Sequence, residues 1–208
     1  MNVYHYSHLD NWHDIQYGSY VSQDQPGLGA NKRMGRYYRP AFEACAVFCL
    51  TDPKPNSWTK NTQFDDAWNE LMRHVGNVLL QVDITGLEDQ AKVVDWGYRE
   101  AFYQERTTGQ YASKTITEAE EKYYTSAVGL NEYVANPDVQ AAYALPEVVI
   151  AQHVPLERIS FAPDQSKLVA SVNRWRGEWR EGIEHQISRI PELSAAYTDT
   201  LTAATVLV

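Results

Sequence analysis

Apolar and polar positions alternate with a period of two over residues 2–7 (NVYHYS), which predicts a strand at the start of the chain. Asp10 then stands where it can cap a short helix through Ile15, with Gly18 to close it. Residues 42–50 (FEACAVFCL) and 77–85 (NVLLQVDIT) read as two further strands, the first apolar but for Glu43 and read as buried. Between them, residues 65–75 place Trp68, Leu71, Met72 and Val75 on one helical face, closed by Gly76. A short strand is expected over residues 92–96. Residues 117–128 predict a helix whose Thr117-x-x-Glu120 start matches a capping box, and Asn136-Pro137-Asp138 breaks the next stretch and opens another short helix. Residues 144–161 (ALPEVVIAQHVPLERISF) then read as strand, turn and strand, since the β-branched run after Glu147 is too short for a helix and Pro155 bars one. Beyond them Leu168, Val169, Val172, Trp175, Trp179, Ile183 and Ile187 recur at helical spacing through residues 165–190, Pro191 ends the run, and a short helix with an apolar tail follows.

Three stretches interrupt this pattern. Residues 25–40 start at Gln25-Pro26-Gly27 and show no usable period, and their glycines form neither a phosphate-cradling loop nor a dinucleotide fingerprint. Asp52-Pro53-Lys54-Pro55-Asn56 forces a rigid turn that holds Trp58 just past a strand. Residues 97–113 are polar and aromatic without period, and predict a mobile or site-lining loop.

At 208 residues the chain suits one well-buried domain with a helical appendage. A net charge of -9 argues against indiscriminate binding to a nucleic-acid backbone, although Lys32, Arg33, Arg36 and Arg39 form a local basic cluster. Cys45 and Cys49 lie four apart in a predicted strand, roughly 13 Å between Cα atoms, too far to bridge. With no apolar run of spanning length and no leader pattern, the sequence predicts a soluble, cytoplasmic protein with no membrane association; an injected effector would read the same way.

The odd member of the late strand is Glu147. A carboxylate at the mouth of an apolar strand is costly to desolvate, so it belongs at an exposed end, beside a cation, or in a site. Two other segments stand with it in chain order: Val3-Tyr4-His5-Tyr6-Ser7 followed by Leu9-Asp10-Asn11, and Val47-Phe48-Cys49-Leu50 followed by Asp52-Pro53-Lys54-Pro55 and Trp58. Together with Leu145-Pro146-Glu147-Val148-Val149-Ile150 and Val154-Pro155-Leu156-Glu157-Arg158-Ile159, this ordering resembles the ADP-ribosyltransferases of the DarT type. Their first strand carries a Tyr-His-x-Thr element, with Ser7 here in place of the Thr. Trp58 stands for the family's usual Tyr, and Leu145 is not the Glu or Gln of relatives that modify protein arginine.

The resemblance implies an α+β fold, an ADP-ribosyltransferase-like split β-sheet core with flanking helices, over residues 1–163, with residues 164–208 as a C-terminal helical segment packed on the same domain. It implies NAD as co-substrate, with no metal, and Glu147 as the catalytic carboxylate. His5 and Ser7 would contact the cofactor, with His5 on the adenosine-side ribose, Trp58 would stack on nicotinamide, and Arg33 and Arg36 would meet the pyrophosphate. Arg39, Tyr37 and Tyr38 would hold single-stranded nucleic acid as acceptor, and a toxin or effector of this kind implies an antitoxin or immunity partner. A protein acceptor, or a catalytically dead binding module of the same fold, are the alternatives. An RNA 2'-phosphotransferase fits less well, because Tyr4 and Tyr6 rather than arginines flank His5.

Overall fold

The computed structural model describes residues 1–18, 25–29 and 46–206. In chain order, β1 (Asn2–Ser7) leads through a 3-10 turn into α1 (Trp12–Tyr17), and β2 (Gly27–Leu28) and β3 (Val47–Cys49) follow. Helices α2 (Asn56–Thr59) and α3 (Ala67–His74) precede β4 (Val78–Asp83) and β5 (Ala91–Asp95). Next come α4 (Gly97–Tyr103), α5 (Ile116–Thr125), β6 (Val128–Gly129), α6 (Leu130–Ala135) and α7 (Pro137–Ala142). Strands β7 (Pro146–Ile150), β8 (Val154–Pro155) and β9 (Ile159–Phe161) lead into the terminal helices α8 (Ser166–Asn173), α9 (Glu178–Ser188) and α10 (Pro191–Val206). The fold is mixed helix and sheet, as expected of an α+β protein.

The strands form an antiparallel three-stranded sheet, β1-β4-β9, an antiparallel four-stranded sheet, β3-β7-β5-β6, and a small β2-β8 pair. Strands β7 and β9 are close in sequence, yet they enter different sheets instead of pairing as a hairpin. One bridge joins the two larger sheets: Tyr4 N donates to Leu50 O at 2.9 Å and Leu50 N to Tyr4 O at 2.7 Å. A regular ladder continuing from that pair would set Tyr6 opposite Phe48. No such pair forms: β1 and β3, each the edge strand of its own sheet beside β4 and β7, are joined in backbone pairing among the described residues by the Tyr4-Leu50 bridge alone, so the sheets part at this point.

Burial on both faces explains why β4 and β7 read as near-continuous apolar runs. Val3, Leu80, Val82, Val93, Val148 and Ile150 share one core with Leu168, Val172 and Leu193, so the terminal helices are packed into the same hydrophobic body as the sheets. A second cluster gathers Leu50, Trp58, Phe64 and Leu145, and a third Val94, Tyr123, Tyr124 and Val149. Among the described residues no helix is long and apolar enough to cross a membrane.

Five expectations about local structure are corrected. Residues 97–103 form helix α4 rather than a loop, because Arg99 is buried against α5 and Ala101 in the cluster of Trp58, Phe64 and Leu145, so tertiary packing overrides the missing period. The cap of α5 is Thr115, not Thr117: its side chain accepts from Glu118 N, while the Glu118 carboxylate accepts from Lys114 N. Asp10 lies within the 3-10 turn and caps nothing; Asn11 precedes α1 without a side-chain cap. Residues 165–190 make two helices: α8 ends at Asn173, and Gly177 precedes α9 with φ 56°, a value that favours glycine and redirects the chain into the second helix. Trp175 and Trp179, expected on a buried face, are instead 47% and 73% exposed.

Candidate active site

The approach to Glu147 is tied down at nearly every backbone group. Asp95 ends β5 with its carboxylate 2% exposed, and four donors converge on it. Oδ1 accepts from Gly97 N at 3.0 Å and Leu145 N at 2.9 Å; Oδ2 accepts from the Tyr111 hydroxyl at 2.7 Å and Ala144 N at 3.0 Å. Full satisfaction is what lets a carboxylate stay buried. Burial, and next the Asp95 charge, push the Tyr111 phenol well up, so it remains a donor. The carbonyls of the same segment are used as well: Ala144 O accepts from Asn61 Nδ2 at 2.8 Å, Leu145 O from Trp96 N at 2.9 Å, and Pro146 O from Trp58 Nε1 at 2.8 Å.

Strand β7 therefore starts from a fixed point, and Glu147 is its second residue, opposite Val94 and partly buried. The fully buried Tyr123 on α5 donates its hydroxyl to Glu147 Oε2 at 2.7 Å. Behind that phenol sits Arg99 of α4, its guanidinium carbon 3.9 Å from the Tyr123 ring centroid. Arg99 in turn donates from Nη2 to the Tyr124 hydroxyl at 2.9 Å and lies 3.7 Å from Glu120 Oε1. A cation over the ring withdraws electron density from the phenol and strengthens its O–H as a donor, and a donated hydrogen bond favours the charged carboxylate. On the opposite side of the sheet, burial, and then the nearby Glu147 charge, raise the Cys49 thiol far above its ordinary value, so it stays protonated.

His5 stands at the parting of the sheets. Its Nδ1 lies 2.7 Å from Phe48 O, taking up the carbonyl that a regular β1-β3 ladder would have used. A carbonyl only accepts, so Nδ1 carries the proton and Nε2 presents a lone pair. Burial holds the imidazole below its ordinary value of 6.5 against the opposing Phe48 bond, which keeps the ring neutral near pH 7. Cys49 pairs with Val148, and one step further in that register sets Leu50 opposite Glu147, while Leu50 bridges Tyr4 on its other side. Leu50, the residue just past β3, thus lies between Tyr4 on one side and the register position of Glu147 on the other.

The other expected site residues fare differently. Trp58 is 1% exposed and hydrogen-bonded to Pro146 O, so its ring has no face for stacking on nicotinamide; it is a core plug that also positions the residue before Glu147. Ser7 is buried at the far end of β1, where the chain passes so close to Gly76 that a Cβ there would come within 1.8 Å of the Ser7 carbonyl carbon. That closed packing does not present the hydroxyl to a cofactor. Arg33, Arg36, Tyr37, Tyr38 and Arg39 lie outside the described residues. Sequence reasoning missed Asp95, Arg99 and Tyr123. The available signal was an arginine embedded in Trp96-Gly97-Tyr98-Arg99 directly after a strand-ending acid. Comparison with protein-family models, curated proteins and solved structures gives no match.

Proposed function

We propose that this chain is an NAD-dependent mono-ADP-ribosyltransferase built on an ADP-ribosyltransferase-like split sheet, a toxin or effector whose acceptor is a nucleic-acid base. The observation that carries the reading is a carboxylate, Glu147, oriented by Tyr123 beside the line where two antiparallel sheets part, with a neutral histidine locked at the same line. NAD supplies the glycosidic bond that breaks, with nicotinamide as leaving group. As that bond lengthens, positive charge grows on the ribose, and a carboxylate held in place before the reaction stabilises it without reorganising. Glu147 suits that role because Tyr123 fixes one of its oxygens. His5 suits recognition of a ribose hydroxyl, since Nε2 of the tautomer imposed by Phe48 is an acceptor. A cofactor role for Ser7 and Trp58 is not carried forward, and the pyrophosphate contacts rest with Arg33 and Arg36 on sequence alone.

The test is NAD consumption by the purified chain and by Glu147→Gln, with mass spectrometry of nucleic-acid and protein acceptors. Turnover should fall at least about a hundredfold in the variant with NAD affinity nearly unchanged, because the lost interaction belongs to the transition state. Equal turnover would remove Glu147 from the chemistry, and no turnover in the wild type would favour a binding module. Label found on protein and on no nucleic acid would replace the acceptor class.

A further inference from the structure

The bend between α8 and α9 carries an exposed aromatic and basic surface that the packing of the domain does not use. Trp175 and Trp179 are 47% and 73% exposed, and their rings lie 5.9 Å apart at 32°. Two neighbouring tryptophans left in water are costly to a folded chain unless something covers them. The stretch from Arg174 to Arg180 (RWRGEWR) holds three arginines and one glutamate, in a chain whose net charge is -9. Arg174 and Arg176 are exposed, and Arg176 Nη1 reaches back to the backbone carbonyls of Asn173 and Trp175 at 2.7 and 3.0 Å, which holds its guanidinium at the end of α8. Arg180 pairs with Glu184 at 2.8 Å, so the positive field comes chiefly from the first two.

The surface also has a direction. Helix α8 runs from Lys167, whose ammonium lies 5.3 Å from the centre of the Tyr6 ring, to Arg174 at its far end. Tyr6 is the neighbour of His5 at the parting of the sheets. Seven residues of helix cover roughly 10 Å, a span of one or two nucleotides of extended strand.

We propose that Trp175 and Trp179, with Arg174 and Arg176, form a platform for single-stranded nucleic acid, on which unstacked bases lie against the indole faces and phosphates meet the guanidinium groups. Charge selects this occupant: flat apolar faces beside cations fit a polyanion with exposed π-faces, and residues 165–177, which lead up to Trp179, carry Lys167, Arg174 and Arg176 and no acid in a chain of net charge -9. Duplex binds poorly here, since its bases are already stacked on one another. This placement rests on the acceptor class proposed above, and it adds a surface that leads along α8 toward the candidate active site.

The experiment is fluorescence anisotropy of a labelled oligothymidylate of about twelve nucleotides against the full chain across a salt series, with NAD hydrolysis measured separately without oligonucleotide. Replacing both tryptophans (Trp175→Ala with Trp179→Ala) should weaken binding by about tenfold or more. Replacing both arginines (Arg174→Gln with Arg176→Gln) should weaken it and flatten the logarithmic salt slope by about one to two phosphate contacts. Basal NAD hydrolysis should be unchanged in both variants. The proposal is overturned if the wild type does not bind the oligonucleotide, if the double tryptophan variant binds it as tightly, or if unlabelled duplex competes as well as single strand. A wild type that binds through its tryptophans but hydrolyses no NAD leaves the platform standing and removes the transferase reading; NAD hydrolysis without oligonucleotide binding does the reverse.

Discussion

At the scale of the residue, the chemistry of Glu147 depends on what faces it. Its Oε2 accepts from Tyr123, and the Tyr123 ring lies under Arg99, so a substitution two contacts away should reach the carboxylate. Tyr123→Phe keeps the ring under the guanidinium and removes only the hydroxyl. It should cost about 1.5 to 3 kcal/mol of carboxylate orientation, expressed as a roughly tenfold or greater loss in kcat with KM for NAD little changed. Arg99→Lys should fall short of the wild type as well, because an ammonium cannot lie flat on the ring while bonding Tyr124. Steady-state kinetics with thermal melts separate the two kinds of effect: a lowered melting temperature with normal kcat would make both residues packing elements only. His5 gives a pH signature from the other flank. Its folded pKa is lowered, so below about 6.5 the unfolded chain binds a proton that the folded chain resists. Stability should therefore fall as the pH drops through that range, and His5→Gln should flatten the fall in urea midpoints measured between pH 7 and pH 5.

At the scale of the element, what matters is that β7 begins at a fixed point. Asp95→Asn retains the volume of the side chain but turns one acceptor into a donor facing the N–H and O–H groups that now converge there. Loss of about 2 to 4 kcal/mol and a several-fold drop in turnover are expected, by urea melts and NAD assays. Trp58→Ala should destabilise by about 3 to 5 kcal/mol, because it empties a fully buried site and frees Pro146 O. A Trp58→Ala protein of wild-type stability with weakened NAD binding would restore the stacking role. These elements also show how much was legible in advance. Strands over residues 2–7, 78–83 and 146–150 could be read because alternation and β-branched runs are local signals. Helix α4 could not, since its formation depends on Arg99 being enclosed by its own N-cap Trp96 and by Tyr123 and Tyr124, which another helix supplies. The break at Gly177 was hidden for the opposite reason: Trp175 and Trp179 fit a buried helical stripe by spacing, but hydrophobic spacing cannot say that a ring is left in water. Glu147 and His5 stood out by residue type against their strands, whereas Asp95 and Tyr123 act through contacts far apart in sequence.

At the scale of the whole molecule, the fourteen tyrosines that the composition offered as core or stacking surface have a consequence for alkaline stability. Burial, then the Asp164 charge, pushes the Tyr6 phenol up to about 12. Burial, then Asp95 and Asp52, does the same for Tyr133, also to about 12. Tyr111 and Tyr143 move in the same direction, burial first and Asp95 second in both. A phenol with a raised folded pKa keeps its proton where the unfolded chain has lost it above pH 10, so its contribution is complete below 10 and is lost as the pH rises through 12. Lys167 works the other way. Burial, then Arg174, holds its ammonium at about 8, so the folded state bears a charging cost below that pH which is relieved as the pH climbs from 8 toward 10.5. The sum predicts a stability curve that rises gently from pH 8 to about 10 and then falls steeply, with several phenols ionising together as the domain opens. Urea midpoints taken at successive pH values, with tyrosinate absorbance followed in the same samples, test both limbs. Lys167→Met should remove the rising limb while leaving the fall above 10 in place. Tyrosines that titrate fully near pH 10 in a domain that stays folded would show instead that the ring of phenols around Asp95 and β1 is open to water, and with it the closed packing that holds Glu147.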